Sequence, residues 1–390
     1  MIDHCTRGKS KIANLKSKID SMNSERIQKL QAALRAQNLD GVALLPGPNL
    51  LYFSGMHTHS SERPLVLLIP ADGEAAVIIP VLEAQKAEAV GIPAERIFAW
   101  GDGEGYMGAF QAACQSLGLA GQTLGAEKLY MRLLEWDMLE EFAPGLKREY
   151  ADPILYDLRL SKDQDELAKM RHAVAVAETA MKKTLPQIKI GMTEKEIAAM
   201  LMAELIAAGG EKLPFEVIVS SGDNATSPHA VPTDRPIQEG ELMIIDWGTI
   251  VNDYPSDITR TFAIGEISEE QRAIYDTVKA ANAAGIAQIN PQNSCHDIDV
   301  ATRGVITEAG YGEYFIHRTG HGLGLEIHEE PSIMTDVKQK LRTGMVFTVE
   351  PGIYKPGTGG VRIEDDVVVT ADGCEILTTL TRDLITIDNR

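Results

Sequence analysis

The sequence predicts an α+β protein built from two domains, and three observations support this. The chain has 390 residues, which is long for a single domain and comfortable for two. Residues 23–150 alternate strand-like apolar runs with helical patterns, which is typical of a small α/β domain. Residues 151–390 place helical patterns between strand-like stretches. We therefore expect this larger region to form a curved, mainly antiparallel sheet with flanking helices.

Local patterns predict the elements of residues 23–150. Apolar residues at helical spacing predict a helix over 25–38, and the run GVALLP predicts a buried strand over 41–46. Apolar runs on both sides of Asp72-Gly73 predict a β-hairpin. The remaining predicted elements are helices over 82–90, 106–117 and 130–142 and a strand over 96–100.

Three segments of the larger region have the capping-box pattern that begins many helices. They start at Ser161, Thr193 and Ser268, and the helices that follow are predicted to end near 185, 208 and 289. The segment 150–159 is interpreted as a connection, and Asp372-Gly373 as the turn of a second hairpin. The predicted strands are FEVIVSSG, ELMIIDWGTIV, ITRTFAIG, MVFTVEPGIY and RIEDDVVVT.

Composition and charge exclude several classes of partner. The net charge is −19 and the pI is near 4.9, so phosphate backbones and anionic membrane surfaces would be repelled. No apolar run approaches the length of a membrane span. We expect neither a nucleic acid nor a membrane as a partner.

The N-terminus and the cysteines indicate a cytoplasmic protein. Residues 1–22 are basic and lack the apolar core of a secretory signal. They are interpreted as a disordered arm, with a translation start at Met22 as the alternative. The four cysteines are far apart in sequence and form no C-x-x-C pair, which favours a reducing compartment over a disulfide framework.

Two aspartates follow or precede strand-like runs in ELMIIDWGTIVNDYPSDITRTF. Asp246 comes after four apolar residues, a context in which an unpaired carboxylate is unfavourable to bury. Asp257 lies eleven residues later, beyond a turn predicted at Asn252-Asp253. Such a hairpin would bring both carboxylates to the same end of two strands. The alternative is a pair of turn or capping aspartates.

A glycine-rich segment, HRTGHGLGLEIHEEP, contains two histidines. Three glycines stand at 320, 322 and 324, so the backbone there can approach another group closely. His321 lies between two of them and is a plausible metal ligand through a neutral imidazole. His328 follows seven residues later. The alternative for His321 is a loop histidine with only a structural hydrogen bond.

Two glutamates occur in apolar surroundings near the C-terminus. Glu350 ends the run MVFTV before a Pro-Gly turn, and Glu364 lies within GGVRIEDDVVV. A glutamate inside a strand is disfavoured unless it is paired or binds a cation. Strand alternation would direct Glu364 and Asp366 to one face and Asp365 to the other. The alternative is a solvated edge strand.

Together these residues predict a metal centre. Four carboxylates and one imidazole suit Mn, Co, Fe or Zn. Bridging carboxylates could hold two such ions roughly 3.5 Å apart, and a pair of ions lowers the pKa of a shared water and polarises a carbonyl. Hydrolysis of an amide is the reaction that follows most directly.

In their order along the chain, the pieces IIDWG, SDITRTF, HRTGHGLGLEIHEEP, TVEPGIY and GGVRIEDD resemble the pita-bread metallopeptidases. This family includes methionine aminopeptidase, aminopeptidase P and proline dipeptidase. The resemblance is strong over about residues 150–390. The first 150 residues resemble, more weakly, the creatinase-like N-terminal domain of the proline-specific branch. The resemblance implies a pita-bread fold for the larger domain.

The resemblance also implies a role for each site residue. Asp246 would chelate one metal, Asp257 and Glu364 would bridge two, and His321 and Glu350 would bind the second. Glu350 would in addition be the general base that takes a proton from water.

Three further residues receive roles from the same resemblance. His229 would contact the substrate or assist the leaving group, and His328 would hydrogen-bond the scissile carbonyl or the tetrahedral intermediate. Arg362 would either support the metal ligands or bind a substrate carboxylate. One departure from the family pattern is Trp247, whose side chain is expected to point away from Asp246.

The long N-terminal domain favours the proline-specific branch over methionine aminopeptidase. The implied activity is cleavage of small peptides with proline at the second position, by an Xaa-Pro dipeptidase or an Xaa-Pro aminopeptidase. Mn²⁺ is the favoured metal, with Co, Fe or Zn as alternatives, and a homodimer is expected. The alternative functions are a non-peptidase C–N hydrolase resembling creatinase or ectoine hydrolase, and a binding module without metals.

Overall fold

The computed structural model describes residues 24–388, which fall into two compact units. The first unit ends at Arg159 and the second begins at Leu160. The predicted N-terminal arm, residues 1–22, lies outside the described residues. Among residues 24–388, no helix combines the length and the apolar composition needed to span a bilayer.

The first unit contains a mixed six-stranded sheet. Its strands are β1 (Gly41–Leu44), β2 (Val66–Pro70), β3 (Ala76–Pro80), β4 (Ile97–Trp100), β5 (Thr123–Ala126) and β6 (Lys147–Tyr150). Their order is β4-β3-β2-β1-β5-β6. The β1/β2 and β2/β3 pairs are antiparallel, whereas β3/β4, β1/β5 and β5/β6 are parallel. The hairpin predicted at Asp72-Gly73 is confirmed as the β2–β3 connection.

Within residues 24–160, six α-helices accompany this sheet. They are α1 (Ser24–Ala36), α2 (Pro48–Ser54), α3 (Ala84–Ala89), α4 (Met107–Leu117), α5 (Leu133–Phe142) and α6 (Asp152–Leu160). The interpretation of residues 150–159 as a connection is wrong, because α6 occupies most of that segment. Ile154, Leu155 and Leu160 are buried, so α6 has the apolar face that stabilises a helix by packing.

The second unit is dominated by antiparallel pairing, as predicted. Its strands are β7 (Ile218–Ser221), β8 (Glu241–Trp247), β9 (Ile250–Val251), β10 (Tyr254–Pro255), β11 (Ile258–Ile264), β12 (Gly320–Gly322), β13 (Glu329–Ile333), β14 (Val346–Val349), β15 (Gly352–Lys355), β16 (Gly359–Arg362), β17 (Asp365–Val369), β18 (Cys374–Ile376) and β19 (Thr386–Ile387). One sheet has the order β19-β11-β8-β7 and another β13-β12-β14-β17-β18. Two hairpins, β9/β10 and β15/β16, complete the described strands. Only β11/β19 among the described pairs of this unit is parallel.

Four long helices belong to this unit, and their N-termini test the predicted capping boxes. The helices are α7 (Gln164–Thr184), α8 (Glu194–Ala207), α9 (Glu269–Ala287) and α10 (Cys295–Glu308). The boxes predicted at Thr193 and Ser268 are confirmed, each with reciprocal bonds to the side chain three residues later. A further box begins at Ser294. The sequence pattern missed it because its third residue is Asp297 rather than Glu or Gln.

The box predicted at Ser161 is wrong by two residues. Asp163 is the N-cap of α7, and it exchanges hydrogen bonds with Glu166. Ser161 forms a β-bridge with Met345, and the Lys162 amide donates to the Gly344 carbonyl. Residues 161 and 162 are therefore held extended by a distant strand, and the helix cannot begin until Asp163.

The apolar core of the second unit fixes the orientation of β8. Trp247 is fully buried with Met170, Val174 and Leu201 of the helices. Its indole Nε1–H donates to the Ala177 carbonyl at 3.0 Å. Because successive side chains of a strand face opposite sides, this anchoring of Trp247 turns the neighbouring Asp246 away from the helices.

Candidate metal centre

Two neighbouring strands position the first pair of site residues. In the antiparallel β8/β11 ladder, Asp246 lies opposite Thr259, and Asp257 immediately precedes β11. The intervening β9/β10 hairpin turns at Asn252-Asp253, both with positive φ, as expected for a tight hairpin turn. The prediction that a turn brings both carboxylates to one end of two strands is confirmed by this register.

His321 lies on β12 between two glycines whose missing side chains leave room for close backbone contacts. A Cβ at Gly320 would lie 1.9 Å from the Thr348 carbonyl oxygen, and one at Gly322 would lie 2.2 Å from the Glu330 carbonyl oxygen. Both distances are far below van der Waals contact, so neither position accepts a larger residue without displacement of the backbone. The glycines allow β12 to fit between β13 and β14, which places His321 in the site.

The second pair of carboxylates comes from the other large sheet. Glu350 follows β14, and its amide donates to the Thr319 carbonyl at 2.8 Å. Glu364 lies in the break between β16 and β17, so the prediction of a glutamate inside one continuous strand is wrong. The Glu364 amide donates to the Thr259 carbonyl at 3.1 Å, and its carboxylate accepts a hydrogen bond from Thr259 Oγ1 at 2.5 Å. This contact to β11 explains why the chain leaves the regular strand there.

These residues converge on one cavity of about 390 Å³. Ligand atoms of Asp257, His321 and Glu364 all lie within 4.8 Å of one another. His321 Nε2 is 3.5 Å from Asp257 Oδ2 and 3.4 Å from Glu350 Oε1. Asp246 lines the same cavity, so the structure brings together all five predicted ligands.

Without a bound metal ion, the cavity is electrostatically unfavourable for several ionised carboxylates. Burial raises the pKa of Glu350 to about 7, and the charge of Asp246 acts in the same direction. Burial, followed by repulsion from neighbouring carboxylates, raises the pKa values of Asp257 and Glu364 well above their ordinary range. Several carboxyl groups in this space cannot all be charged unless a positive ion neutralises them.

The histidine is held in the form that binds a cation. Burial lowers the pKa of His321 to about 3, so the imidazole is neutral at physiological pH. Its Nδ1 lies 3.1 Å from the Gly322 carbonyl oxygen, which accepts a hydrogen bond from the Nδ1–H tautomer. The lone pair of Nε2 then faces oxygens of Asp257 and Glu350, which are hydrogen-bond acceptors once the carboxyl groups are ionised. The buried oxygen Oδ1 of Asp246 likewise has no hydrogen-bond partner among the described residues. A divalent cation can bind between such acceptor atoms, which would otherwise face one another without a hydrogen bond. Carboxylate oxygens and an imidazole nitrogen are ligands that suit Mn, Co, Fe or Zn.

Arg362 is buried beside the carboxylates, and most of the N–H groups of its guanidinium donate hydrogen bonds to protein oxygens. Its Nη2 lies 2.7 Å from Asp246 Oδ2, and its Nε donates to Thr259 Oγ1 at 3.1 Å. Its Nη1 donates to the Tyr354 hydroxyl at 2.8 Å and to the Pro228 carbonyl at 3.1 Å. The guanidinium therefore fixes the orientation of Asp246.

A second buried hydrogen-bond network contacts the backbone of Glu364 on the side away from the cavity. Arg260 donates to the Glu364 carbonyl at 2.5 Å and to Asp365 Oδ1 at 2.8 Å. Arg382 and Asn282 also donate to Asp365. Asp365 thus faces this network, away from the cavity, as strand alternation predicted.

Histidines at the cavity lining provide groups for contacts with a substrate. His229 and His328 both line the cavity, as predicted for substrate-contacting residues. The imidazole of His328 packs edge-on against that of His321, with 4.2 Å between ring centroids. His317 also lines the cavity, and its Nε2 lies 2.9 Å from the Tyr354 hydroxyl.

Sequence reasoning missed several residues of the cavity lining. Arg318 lines it, and among the described residues its guanidinium has Ser332 Oγ as a hydrogen-bond partner and no carboxylate partner. Phe215, Glu216 and Ile218 form another part of the lining. The position of Arg318 between two candidate histidines, in HRTGH, was the available indication. Phe215, Glu216 and Ile218, which lie just before and at the start of β7, follow no pattern that distinguishes them from a core strand.

Comparison with known proteins decides the family. Residues 168–371 match metallopeptidase family M24, and residues 26–161 match the creatinase/prolidase N-terminal domain. The chain belongs to metallopeptidase family M24. The resemblance read from the motifs, including the pita-bread fold and the creatinase-like first domain, is thereby confirmed.

Similar proteins cover almost the whole chain of this M24 peptidase. A putative dipeptidase, YkvY, from Bacillus subtilis (strain 168) is 35% identical over 92% of this chain and 99% of its own. A recombinant prolidase from Thermococcus sibiricus is 34% identical with a TM-score of 0.88, covering 94% of this chain and 100% of that one. An Xaa-Pro dipeptidase from Bacillus anthracis is 32% identical with a TM-score of 0.85, covering 93% and 99% respectively.

Proposed function

We propose that this protein is a dinuclear-metal-dependent exopeptidase that hydrolyses the bond between an N-terminal residue and proline. The observation that carries the proposal is the group of four buried carboxylates around a neutral His321 in one cavity. The similarity to a prolidase and to an Xaa-Pro dipeptidase supports proline at the second position.

The proposed metal ligands are the five residues of the sequence prediction. They are Asp246, Asp257, His321, Glu350 and Glu364, which would hold two divalent ions, with Asp257 and Glu364 serving both. Bound there, the ions, with Mn²⁺ favoured, would supply Lewis acidity for the scissile carbonyl and for water. The surrounding burial strengthens such electrostatic interactions because it excludes water.

The chain's own residues then move protons and hold the substrate. Glu350 accepts the proton of the attacking water at a carboxylate oxygen. His328 lies beside His321 at the cavity wall and donates a hydrogen bond to the developing oxyanion. His229 lies on the loop that follows β7 and contacts the substrate near its leaving group.

The two arginines that line the cavity have different proposed roles. Arg362 supports the metal ligands, because its guanidinium already pairs with Asp246 and three further protein oxygens. Arg318 is therefore the better candidate to bind a substrate carboxylate, since a guanidinium matches that group bidentately. A dipeptide presents such a carboxylate next to proline, and a longer peptide does not.

Two predictions about the protein in the cell accompany this proposal. Cys114, Cys295 and Cys374 are free thiols, which supports a reducing cytoplasm. A homodimer is expected from the resemblance to the proline-specific branch. Light scattering of the purified protein measures the mass directly.

Metal content of a ligand variant tests the site. Glu364→Gln should lower the bound metal below the two ions per chain expected for the wild type, because an amide is neutral and a weaker ligand. Glu216→Gln is the matched control, since Glu216 lines the same cavity without being a proposed ligand. Atomic emission after Mn²⁺ loading and gel filtration measures both. Equal metal content in Glu364→Gln and the wild type would contradict the dinuclear site.

Peptide hydrolysis tests the specificity. The Mn²⁺-loaded wild type is given an Xaa-Pro dipeptide and, separately, an Xaa-Pro-Yaa tripeptide. Cleavage of the dipeptide alone is expected. Cleavage restricted to the tripeptide would instead indicate an Xaa-Pro aminopeptidase. Failure to cleave either peptide would favour a C–N hydrolase of small non-peptide molecules.

A further inference from the structure

A fully buried carboxylate lies outside the cavity, between the two ends of the loop that carries His229. Glu194 is the first residue of α8 and is 0% exposed. Among the described residues it has no ion-pair partner. Burying a carboxylate without a cation is unfavourable unless hydrogen bonds compensate. The donors around Glu194 therefore indicate why the fold retains it.

Five hydrogen bonds reach Glu194, and they come from both arms of the same loop. On the arm that follows β7, Ser221 donates to Oε1 through its amide at 2.7 Å and its hydroxyl at 3.1 Å. Asn224 Nδ2 donates to Oε2 at 2.8 Å. On the returning arm, Thr233 donates to Oε2 through its amide at 2.9 Å and its hydroxyl at 2.7 Å. One carboxylate thus joins the two ends of the loop to the rigid N-terminus of α8.

His229 lies between these two arms and is itself weakly held. Its side chain is exposed at the cavity, and among the described residues it makes no hydrogen bond. The loop is fixed at one further point near His229, where Arg362 donates to the Pro228 carbonyl. Residues 222–226 also lie against β16, so closely that a Cβ at Gly360 would be 1.9 Å from the Ala225 carbonyl oxygen. The placement of the imidazole thus depends on the loop backbone.

We propose that Glu194 is a positioning residue that fixes the loop carrying His229 at the candidate active site. The role of His229 in peptide cleavage rests on the proposed function, whereas the attachment of the loop to Glu194 does not. A displacement of about 1 Å at a reacting group can reduce a rate about 100-fold. The hydrogen bonds that join the Glu194 carboxylate to the loop, called the tether below, can therefore affect catalysis although Glu194 does not contact the substrate.

Glu194→Gln is an almost isosteric test of the tether. Either orientation of the amide places its NH₂ against a backbone N–H that cannot accept a hydrogen bond, that of Ser221 at the Oε1 position or that of Thr233 at the Oε2 position. One arm of the loop therefore loses its hydrogen bond from a backbone amide to the side chain of residue 194. Glu196→Gln is the matched control, since it removes the same charge from the same helix but changes only the exposed capping box with Thr193.

Hydrogen exchange of the wild type and both variants measures the loop directly, without reference to activity. Glu194→Gln should accelerate exchange at the amides of Ser221 and Thr233 and across residues 222–232, and Glu196→Gln should not. Unchanged exchange in Glu194→Gln would overturn the proposal. If that variant fails to fold, Thr233→Val removes a single donor from the tether and should accelerate exchange in the same segment.

A double-mutant cycle on the Mn²⁺-loaded enzyme tests whether the tether acts through His229. Glu194→Gln is expected to lower kcat/KM for an Xaa-Pro substrate about 10- to 100-fold in the wild type and to have no further effect in His229→Ala. Equal losses in both backgrounds would overturn the positioning role. An inactive wild type would contradict the proposed function instead, and the exchange experiment would still decide whether Glu194 holds the loop.

Discussion

The buried carboxylates of the cavity should make the metal-free protein less stable as the pH rises, and Glu350 gives the most direct test. Its pKa is raised from the ordinary value of 4.5 to about 7, mainly by burial. A group with a raised pKa binds its proton more tightly in the folded protein than in the unfolded chain. Its contribution to stability is therefore complete below pH 4.5 and is lost as the pH rises through about 7.

The interval between these two pKa values sets the size of the effect. It corresponds to on the order of 3 kcal/mol in the free energy of unfolding between the protonated and ionised limits. Histidines act in the opposite direction below pH 6.5, because burial lowers the pKa of His321 to about 3 and that of His317 to about 4. A comparison with Glu350→Gln removes this background, since the variant keeps both histidines.

Urea unfolding at pH 5 and pH 8, in the presence of a chelator, measures the effect. Relative to Glu350→Gln, the wild type should lose on the order of 3 kcal/mol of stability between the two pH values. Mn²⁺ should reverse the trend for the wild type, because an ion that binds only the folded state stabilises it. A difference between wild type and variant that is the same at both pH values would refute this account of the cavity.

Two predictions concern packing around the site. Lys162→Met should lower the free energy of unfolding by about 3–5 kcal/mol in urea titrations, because it removes the ammonium group that lies 2.6 Å from the buried carboxylate of Glu329. Adding Glu329→Gln should restore part of that loss, and a fully additive double variant would contradict the pairing. Gly360→Ala should reduce activity and stability, because the new methyl group would meet the Ala225 carbonyl oxygen at 1.9 Å. Gly304→Ala, in α10 with open space around it, should instead be neutral or stabilising, and thermal denaturation of both variants and the wild type measures the difference.

Elements determined by neighbouring residues were predictable from the sequence. The helix predicted over 106–117 is Met107–Leu117, and the hairpins at Asp72-Gly73 and Asp372-Gly373 are confirmed. Apolar periodicity and turn residues act over a few positions, so a single sequence contains the information.

Features determined by distant partners were not predictable. The bridge from Ser161 to Met345 moves the start of α7 to Asp163, and nothing near Ser161 indicates it. The contact of Glu364 with Thr259 likewise interrupts a run that reads as one strand. In both cases a contact across more than 100 residues overrides a local preference, as tertiary packing commonly does.

The candidate site was more predictable than its surroundings, and the sheet registers explain why. In the β14/β17 ladder, Val349 lies opposite Asp365, so the next residues outward, Glu350 and Glu364, face each other across the end of the ladder. Carboxylates placed next to the last paired positions of strands leave a recognisable sequence pattern, an acidic residue at the end of an apolar run. The ladder then brings them together whatever the length of the intervening chain.

The supporting residues lack such a pattern because their role depends on three-dimensional proximity alone. Glu194 reads as an ordinary first-turn glutamate of a helix, which is favourable at that position for local reasons. Arg362 received a role only from the family resemblance, which left open whether it supports the metal ligands or binds a substrate carboxylate. Only the structure connects the first to the loop of His229 and the second to Asp246 and Pro228. A metal centre can thus be recognised from its ligands, whereas the residues that hold its substrate-contacting groups in place must be found from their contacts.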